Sequence, residues 1–200
     1  MEIFKKEVFK DKQEICVAAT KLFIEKAAEC IEKRNRFVVC LSGGSTPEAM
    51  FRMLAKPENA AQVNWKKVHF FWGDERMVPP DDRDSNYGMV NEALLKRIDI
   101  PSGNIHRIKG ELEPKLSAGE YRAELNLFFR HKQPVFDLTF LGMGNDGHTA
   151  SLFPKTKAVT LVRKRASEVY VSKLKAWRVT LSAPVLNMSR QIVFMVAGRG

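Results

Sequence analysis

Four short runs of consecutive apolar residues predict buried β-strands. They cover residues 37–41, 68–72, 136–141 and 192–196. Because each run is continuous instead of alternating with polar residues, we expect both faces of these strands to be covered, as in a parallel sheet. The pattern therefore predicts a central parallel sheet.

Between these runs, apolar residues recur at the spacing of amphipathic helices. The longest example is residues 11–34, and residues 47–56, 87–97 and 114–130 show the same spacing. Apolar residues three and four positions apart lie on one face of a helix, which can pack against a sheet. The alternation predicts an open, doubly wound α/β fold with a mostly parallel, Rossmann-like sheet.

The C-terminal third has a different pattern. Short apolar runs at residues 159–162, 169–172 and 178–181 are separated by basic residues. They predict extra short strands, either at an edge of the main sheet or in a small subdomain. No repeat, low-complexity tract or linker divides the chain, so we expect a single domain over residues 1–200.

The composition is that of a folded protein in a reducing compartment. Hydrophobic residues make up 44% of the 200 residues, enough for a core without metal or disulfide. No apolar run approaches the roughly 18 residues that span a membrane. Cys16, Cys30 and Cys40 are an odd number without a CxxC pair, and the N-terminus lacks a signal-peptide pattern. We therefore expect reduced cysteines and a cytoplasmic protein.

The chain is basic. Its 33 Lys and Arg against 23 Asp and Glu give a formal net charge of +10, which attracts anions of any kind. Residues 163–165 and 173–178 contain basic clusters that a nucleic-acid-binding module could use. No helix-turn-helix pattern, RNP motif or aromatic–basic interleaving accompanies them, so we interpret them as solvated surface. We expect neither nucleic acid nor a membrane as partner.

The first candidate site is the loop after residue 41, because ligands bind beyond the carboxyl ends of strands in open α/β sheets. Its sequence is Ser-Gly-Gly-Ser-Thr-Pro-Glu, in which Ser45 and Glu48 have capping-box spacing. Two glycines and an open helix N-terminus favour phosphate binding over an ordinary capped turn. No Gly-Lys-Ser/Thr follows, so a Walker loop is not indicated. The residues of this Gly-rich loop are Ser42, Gly43, Gly44, Ser45 and Thr46.

The second loop, residues 73–88, places charge directly after a buried strand. It begins with Gly73 and continues with Asp74, Glu75 and Arg76. The planar guanidinium of Arg76 can bind a carboxylate or a phosphate with two parallel hydrogen bonds. An internal salt bridge between Arg76 and a neighbouring acid explains the same pattern, and both interpretations stay open.

The third loop, residues 142–154, is called the histidine loop below. It contains G-x-G-x-x-G, but Pro154 ends the expected following helix after two turns, so a dinucleotide site is not indicated. His148 is expected at the start of that helix, close to Asp146. A histidine titrates near neutral pH, so His148 can accept and return a proton, oriented by Asp146. No metal-ligand spacing and no G-x-S-x-G elbow is present.

Together, the three loops resemble the 6-phosphogluconolactonases, in the superfamily that includes glucosamine-6-phosphate isomerase/deaminase. The motifs are Ser-Gly-Gly-Ser-Thr-Pro, Trp-Gly-Asp-Glu-Arg with Ser-Asn-Tyr-Gly, and Gly-Met-Gly-Asn-Asp-Gly-His-Thr-Ala-Ser-Leu-Phe-Pro. The resemblance implies hydrolysis of 6-phosphoglucono-1,5-lactone in the pentose phosphate pathway, without metal or nucleotide cofactor. It implies His148 as general base and Asp146 as its orienting group. It implies that Arg76 either stabilises developing negative charge or holds the sugar-acid portion of the substrate. The implied substrate-binding residues are the Gly-rich loop, Asp74, Asn86 and Arg178.

The sequence departs from the family pattern at two places. Arg83 stands where the family often has proline, which affects the stiffness of the second loop. Relatives usually continue past residue 200 into another helix, so the apolar strand 192–196 is expected to be partly uncovered.

Three further functions stay open on the sequence. An isomerase or deaminase on the same scaffold usually needs an additional acid, and the sequence has no carboxylate between His148 and Glu168. A non-catalytic sugar-phosphate sensor would use the same loops without turnover, and a nucleic-acid-binding module would use the basic charge. We expect a monomer or a weak homo-oligomer.

Overall fold

The computed structural model describes residues 5–198, which form two β-sheets. The strands are β1 (Phe37–Leu41), β2 (Val68–Trp72), β3 (Asp74–Arg76), β4 (Ile105–His106), β5 (Leu138–Leu141), β6 (Ala166–Val171), β7 (Ala176–Leu181) and β8 (Ile192–Phe194). The larger sheet has the order β4-β2-β1-β5-β8, and its paired strands are parallel. The predicted parallel sheet is confirmed.

Helices lie on both faces of the larger sheet. In chain order, the α-helices of the described residues are α1 (Lys12–Arg34), α2 (Ser45–Leu54), α3 (Pro57–Ala60), α4 (Asn86–Ala93), α5 (Pro114–Phe128), α6 (Lys157–Thr160) and α7 (Ala183–Asn187). Phe23 of α1 packs against Phe70 of β2, and Phe128 of α5 packs against Phe71 of the same strand. Successive strand residues point to opposite faces. These contacts therefore place α1 and α5 on opposite sides, which confirms the doubly wound arrangement.

Helix α1 shows why the sequence forms these elements locally. The side chain of Asp11 accepts the N–H of Glu14 at 2.9 Å and caps the first turn. At the other end, Asn35 adopts a left-handed conformation, and its N–H donates to the carbonyl of Ile31. Both ends have residue types that supply the missing backbone partners, so the helix ends close to the predicted positions.

Gly73 links the smaller sheet to the larger one. Its order is β3-β7-β6, and both pairs are antiparallel. The N–H of Gly73 donates to Leu41 of the larger sheet, and its carbonyl accepts from Leu181 of the smaller one. The chain thus passes directly from β2 into β3. Two of the three predicted C-terminal strands, at residues 169–172 and 178–181, correspond to β6 and β7.

The third C-terminal strand, predicted at residues 159–162, is wrong. Residues 157–160 form the short helix α6, in which Ala158 is buried against Phe153 and Val171. Val159 and Val162 are exposed, so the apolar run is not a buried strand. Other differences are shifts of element ends: β5 starts at residue 138, β8 ends at residue 194, α2 starts at residue 45, and a 3-10 turn replaces the end of α4.

The edge strand β8 exposes apolar surface, as the sequence predicts for this strand. Phe194 of β8 is 52% exposed, and Val196, which follows the end of β8, is 45% exposed. Residues 1–4 and 199–200 lie outside the described residues, and so does the chain end at which a C-terminal helix is expected to be lacking. Within residues 5–198, no helix is long and apolar enough to cross a membrane.

A pair of histidines lies between the larger sheet and α5. Nδ1 of His69 is 3.2 Å from Nε2 of His106, and Nδ1 of His106 is 2.6 Å from the carboxylate of Glu124. Burial, together with the neighbouring His106 and Arg36, lowers the pKa of His69 to about 4. Neither histidine lines the candidate site described below. Their position, away from that site and between the sheet and α5, indicates a structural role for both.

We predict that this pair makes the fold sensitive to mild acid. An unfolded histidine has a pKa of about 6.5, so the unfolded state binds more protons than the folded state between about pH 6.5 and 4. The contribution of neutral His69 to stability is complete above this range and is lost as the pH falls through it. Urea unfolding at a series of pH values should show this loss, and His69→Gln should reduce its slope. An equal slope in the variant would contradict the assignment.

Candidate functional site

A cavity of about 300 Å³ opens at the carboxyl ends of the central strands. It contains ten of the eleven predicted site residues. These are Ser42, Gly43, Gly44, Ser45, Thr46, Asp74, Arg76, Asn86, His148 and Arg178. Asp146 is the exception, and it contacts His148 directly. Residues 195–197, which follow β8, also line the cavity and were not predicted as site residues.

The Gly-rich loop connects β1 to α2 and opens the helix N-terminus toward the cavity. Gly44 has φ of 108°, a conformation that favours glycine, and it precedes the first helical residue. The first N–H groups of a helix have no partner within it, so they are available to an anion. The hydroxyl of Ser42 is not available as a donor, because it donates to the carbonyl of Phe140 at 2.8 Å.

The predicted capping box is wrong. No side chain caps α2, and Ser45 is its first helical residue instead of its cap. Glu48 pairs with Arg52 one turn later, at 2.7 Å. Since the N-terminal N–H groups lack a side-chain cap, more of them are free for a ligand than the sequence suggested.

Strand β3 sends alternate side chains in opposite directions. Asp74 and Arg76 line the cavity, whereas Glu75 points away from it. The Glu75 carboxylate accepts the N–H groups of Asn86 and Tyr87, each at 2.7 Å, and so anchors the first turn of α4. Burial raises the pKa of Glu75 to about 7, against the opposing effect of these N–H donors. Glu75 therefore supports the site from outside.

Asn86, the first residue of α4, links that helix to two parts of the site. Its side-chain amide donates to the carbonyl of Asp74 at 2.9 Å. It also lies so close to Gly43 that a methyl group on that glycine would overlap the Asn86 oxygen. Gly43 is thus needed because only hydrogen fits in this space.

Arg76 and Arg178 form a pair of cationic side chains in the cavity. They are register partners on β3 and β7, and the Nε atoms of both are buried without a hydrogen-bond partner among the described residues. Burial and the neighbouring Arg76 lower the pKa of Arg178. Burying the Arg178 charge beside a second guanidinium is costly. The carboxylates of Asp74, Glu75 and Asp84 offset part of this cost, and a bound anion would offset more of it.

The salt-bridge interpretation of Arg76 is not observed. Its Nη1 donates to the backbone carbonyl of Asp84 at 2.6 Å, and within residues 5–198 no carboxylate lies within ion-pair distance of it. One nitrogen of the guanidinium is therefore bound by the loop, while the residue lines the cavity. This geometry favours an anion from outside the protein.

His148 is held by Asp146 in one orientation. Nδ1 of His148 lies 2.5 Å from Oδ1 of Asp146, so this nitrogen is the donor and Nε2 is left to accept a proton. Hydrogen bonds from Lys173 and His148 hold the pKa of the Asp146 carboxyl well below its usual range. The imidazole is 27% exposed, so water can reach it.

Two neighbours of the histidine were missed by the sequence analysis. The ring of Phe153 stacks on His148 with a centroid distance of 3.9 Å. Lys173 pairs with Asp146 and also lies over the Phe153 ring, at 4.9 Å from its centroid. Residues 173–178 are thus not only solvated basic surface. Lys173 contacts both Asp146 and Phe153, and each of these residues contacts His148.

The helix expected to start at His148 is absent. The histidine loop instead forms tight turns, in which the N–H of Gly144 donates to the carbonyl of His148 at 2.8 Å. Gly147 has φ of 80° and Ala150 has φ of 47°, and these left-handed residues interrupt a right-handed helix. The turn brings Gly144 directly against the imidazole, where an added methyl group would overlap Cε1.

We predict that Gly144→Ala lowers turnover by displacing His148. A shift of about 1 Å in a reacting group can cost about 10²-fold in rate, so we expect a loss between about tenfold and 10²-fold. Steady-state kinetics with the lactone substrate proposed below measures the loss. Gly103→Ala is the matched control, since a methyl group there meets no atom within 4 Å and the residue lies outside the cavity. Equal turnover of both variants would contradict the prediction.

The described residues do not offer a metal site. Among residues 5–198, no group of three or more His, Cys, Asp or Glu side chains is arranged to hold a metal ion. The cavity instead combines one base, which Asp146 orients from outside the lining, with two arginines and an open helix N-terminus. This set is suited to proton transfer on an anionic substrate.

Comparison with known proteins agrees with this chemistry. The profile of the family described as glucosamine-6-phosphate isomerases/6-phosphogluconolactonase matches residues 10–200. A 6-phosphogluconolactonase of Haemophilus influenzae is 42% identical over 80% of this chain and 68% of its own length. One from Nostoc is 40% identical over 96% of this chain and 79% of its own. The structure of a 6-phosphogluconolactonase from Trypanosoma cruzi is similar with a TM-score of 0.87 at 29% identity, covering 99% of this chain and 82% of that one. The chain therefore belongs to the glucosamine-6-phosphate isomerase/6-phosphogluconolactonase family.

Proposed function

We propose that this protein hydrolyses 6-phosphoglucono-1,5-lactone to 6-phosphogluconate, with His148 as general base. The observation that supports this most directly is the shared cavity, in which the imidazole of His148 opens into the same space as the Gly-rich loop and the arginine pair. Relatives named 6-phosphogluconolactonase that match most of the chain support the same reaction.

The hydrolytic step needs one base and one water. Nε2 of His148 removes a proton from the water as its oxygen attacks the lactone carbonyl carbon, and the carbonyl electrons move onto oxygen. When the tetrahedral intermediate collapses, the bond to the ring oxygen breaks, and His148 returns the proton to that oxygen. Asp146 holds the Nδ1–H throughout and stabilises the imidazolium that forms.

The Gly-rich loop and the two arginines are assigned to different parts of the substrate. We assign the 6-phosphate to the N–H groups of the Gly-rich loop with help from Arg178, because this helix N-terminus is uncapped. Arg76, fixed at Asp84, is assigned to the negative charge that develops at the lactone end. Both arginines line the cavity, so each can reach a substrate bound there.

The test is a direct assay with freshly generated lactone. Lactone made by oxidising glucose 6-phosphate is added, and formation of 6-phosphogluconate is followed through its dehydrogenase against the spontaneous rate. We expect acceleration by the protein, and no ammonia from glucosamine 6-phosphate. Ammonia release would support an isomerase or deaminase. Lactone binding without turnover would support a sensor.

We further propose a cytoplasmic enzyme that is a monomer or a weak homo-oligomer, forms one domain over residues 1–200, and binds neither metal nor nucleic acid. The basic surface and the arginine pair suit a small dianionic substrate. Light scattering across a concentration series tests the oligomeric state. Duplex binding that persists at high salt would contradict the exclusion of nucleic acid.

A further inference from the structure

A buried serine connects the histidine loop to a carboxylate in the cavity. Ser151 is fully buried, and its hydroxyl donates to Oδ2 of Asp74 at 2.6 Å. Its backbone N–H donates separately to Thr180 of β7, at 3.3 Å. Ser151 therefore ties the loop that holds His148 to both strands of the smaller sheet that line the cavity.

The carboxylate of Asp74 accepts hydrogen bonds from two side chains and also lines the cavity. Besides Ser151, the side-chain amide of Asn86 lies 3.4 Å from Oδ1 of Asp74. An ionised carboxylate accepts about four hydrogen bonds, and the described residues supply these two to its oxygens. The residue lines the cavity although it is only 5% exposed. Its remaining acceptor sites are thus available to a ligand that donates.

The position of Asp74 selects the kind of donor. Asp74 lies between two of the site loops. Asn86 connects it to the Gly-rich loop, and Ser151 connects it to the histidine loop. A substrate that places its phosphate at the first loop and its carbonyl carbon at His148 puts its middle carbons near Asp74. In a sugar lactone those carbons have hydroxyl groups, which donate hydrogen bonds.

We propose that Asp74 recognises one ring hydroxyl of the lactone and that Ser151 is the positioning residue that aims this carboxylate. The inference rests on the proposed lactonase function and adds its hydroxyl specificity. Without the Ser151 hydroxyl, Oδ2 of Asp74 loses its closest donor and the carboxylate is free to rotate away from the substrate. The backbone contact of residue 151 with Thr180 does not depend on the hydroxyl, so the histidine loop keeps its attachment.

The experiment compares Ser151→Ala and Asp74→Asn with the parent protein on the complete lactone and on its 2-, 3- and 4-deoxy analogues. A hydrogen bond to a charged group is worth about tenfold to 100-fold, so we expect each variant to lose about this much kcat/KM on the complete lactone. One of the three analogues lacks the hydroxyl that Asp74 binds. On that analogue we expect the kcat/KM of the parent protein to be lowered by about the same factor, and the variants to have the same kcat/KM as the parent. On the remaining two analogues the variants should lose as much as on the complete lactone.

The outcomes separate positioning from a general structural role. Ser117→Ala is the control, since Ser117 is also fully buried but its hydroxyl has no partner among the described residues. Equal losses on all four lactones, or unchanged kinetics of Ser151→Ala, would overturn the inference. If Ser151→Ala fails to fold, the Asp74→Asn pattern decides. Failure of the parent protein to hydrolyse the complete lactone would instead reject the proposed function.

Discussion

Replacing His148 by alanine is expected to lower turnover of the lactone by about 10²–10⁴-fold, the usual contribution of a general base. The structure gives His148 the features of a base: Nδ1 is occupied by Asp146 at 2.5 Å, and Nε2 is left for water. Phe153 stacks on the ring and limits its rotation. The measurement is kcat in the lactone assay, corrected for spontaneous hydrolysis.

The matched control is His131→Asn. His131 is exposed, lies outside the cavity and has φ of 60°, a conformation that asparagine also tolerates. This variant should keep full activity. Asp146→Asn should give a smaller loss than His148→Ala, because the base remains but its tautomer and orientation are no longer held. If His148→Ala keeps the parent turnover, His148 is not the base.

The positions of the site loops could be predicted because they follow from strand periodicity. Continuous apolar runs located β1, β2 and β5, and ligand sites in parallel sheets lie beyond the carboxyl ends of such strands. The residues that follow these strands do line one cavity. That part of the prediction needed only local patterns and one rule of topology.

Contacts between distant segments could not be predicted in the same way. Lys173 lies 27 residues from Asp146, and Ser151 lies 77 residues from Asp74. Both pairs are formed only once the smaller sheet folds back over the histidine loop. In the sequence, Lys173 looks like one of many basic surface residues and Ser151 like a small loop residue, so neither position signals its partner.

Two predictions from local sequence patterns were wrong because the backbone adopts a different conformation from the one that each pattern indicates. The histidine loop has helix-compatible residues after His148, yet Gly147 and Ala150 are left-handed and no helix forms. Ser45 and Glu48 have the spacing of a capping box, but the helix starts at Ser45 and leaves the box unformed. In both places the departure from the local pattern exposes groups to the cavity, as expected where function competes with local preference.

Replacing Arg178 by methionine is expected to lower kcat/KM for the lactone by about 10²–10³-fold. The variant leaves the bound phosphate without its arginine partner, and removal of one partner of a desolvated pair of opposite charges costs about 2–5 kcal/mol. The guanidinium has a buried, unpartnered Nε and lies beside Arg76. Without an anion, this arrangement costs free energy in the folded state, since burial and the like charge of Arg76 both lower the pKa of Arg178.

The same variant should therefore be at least as stable as the parent protein in the absence of ligand, which a structural role for Arg178 would not produce. Urea unfolding without phosphate measures this, and phosphate should stabilise the parent more than the variant because it binds the folded state. Arg178→Lys keeps the charge but loses the planar fork, so its loss in kcat/KM should be intermediate. Arg163→Met removes one exposed positive charge and controls for net charge. Marked destabilisation of Arg178→Met with unchanged kcat/KM would show that the arginine supports the fold instead of binding the substrate.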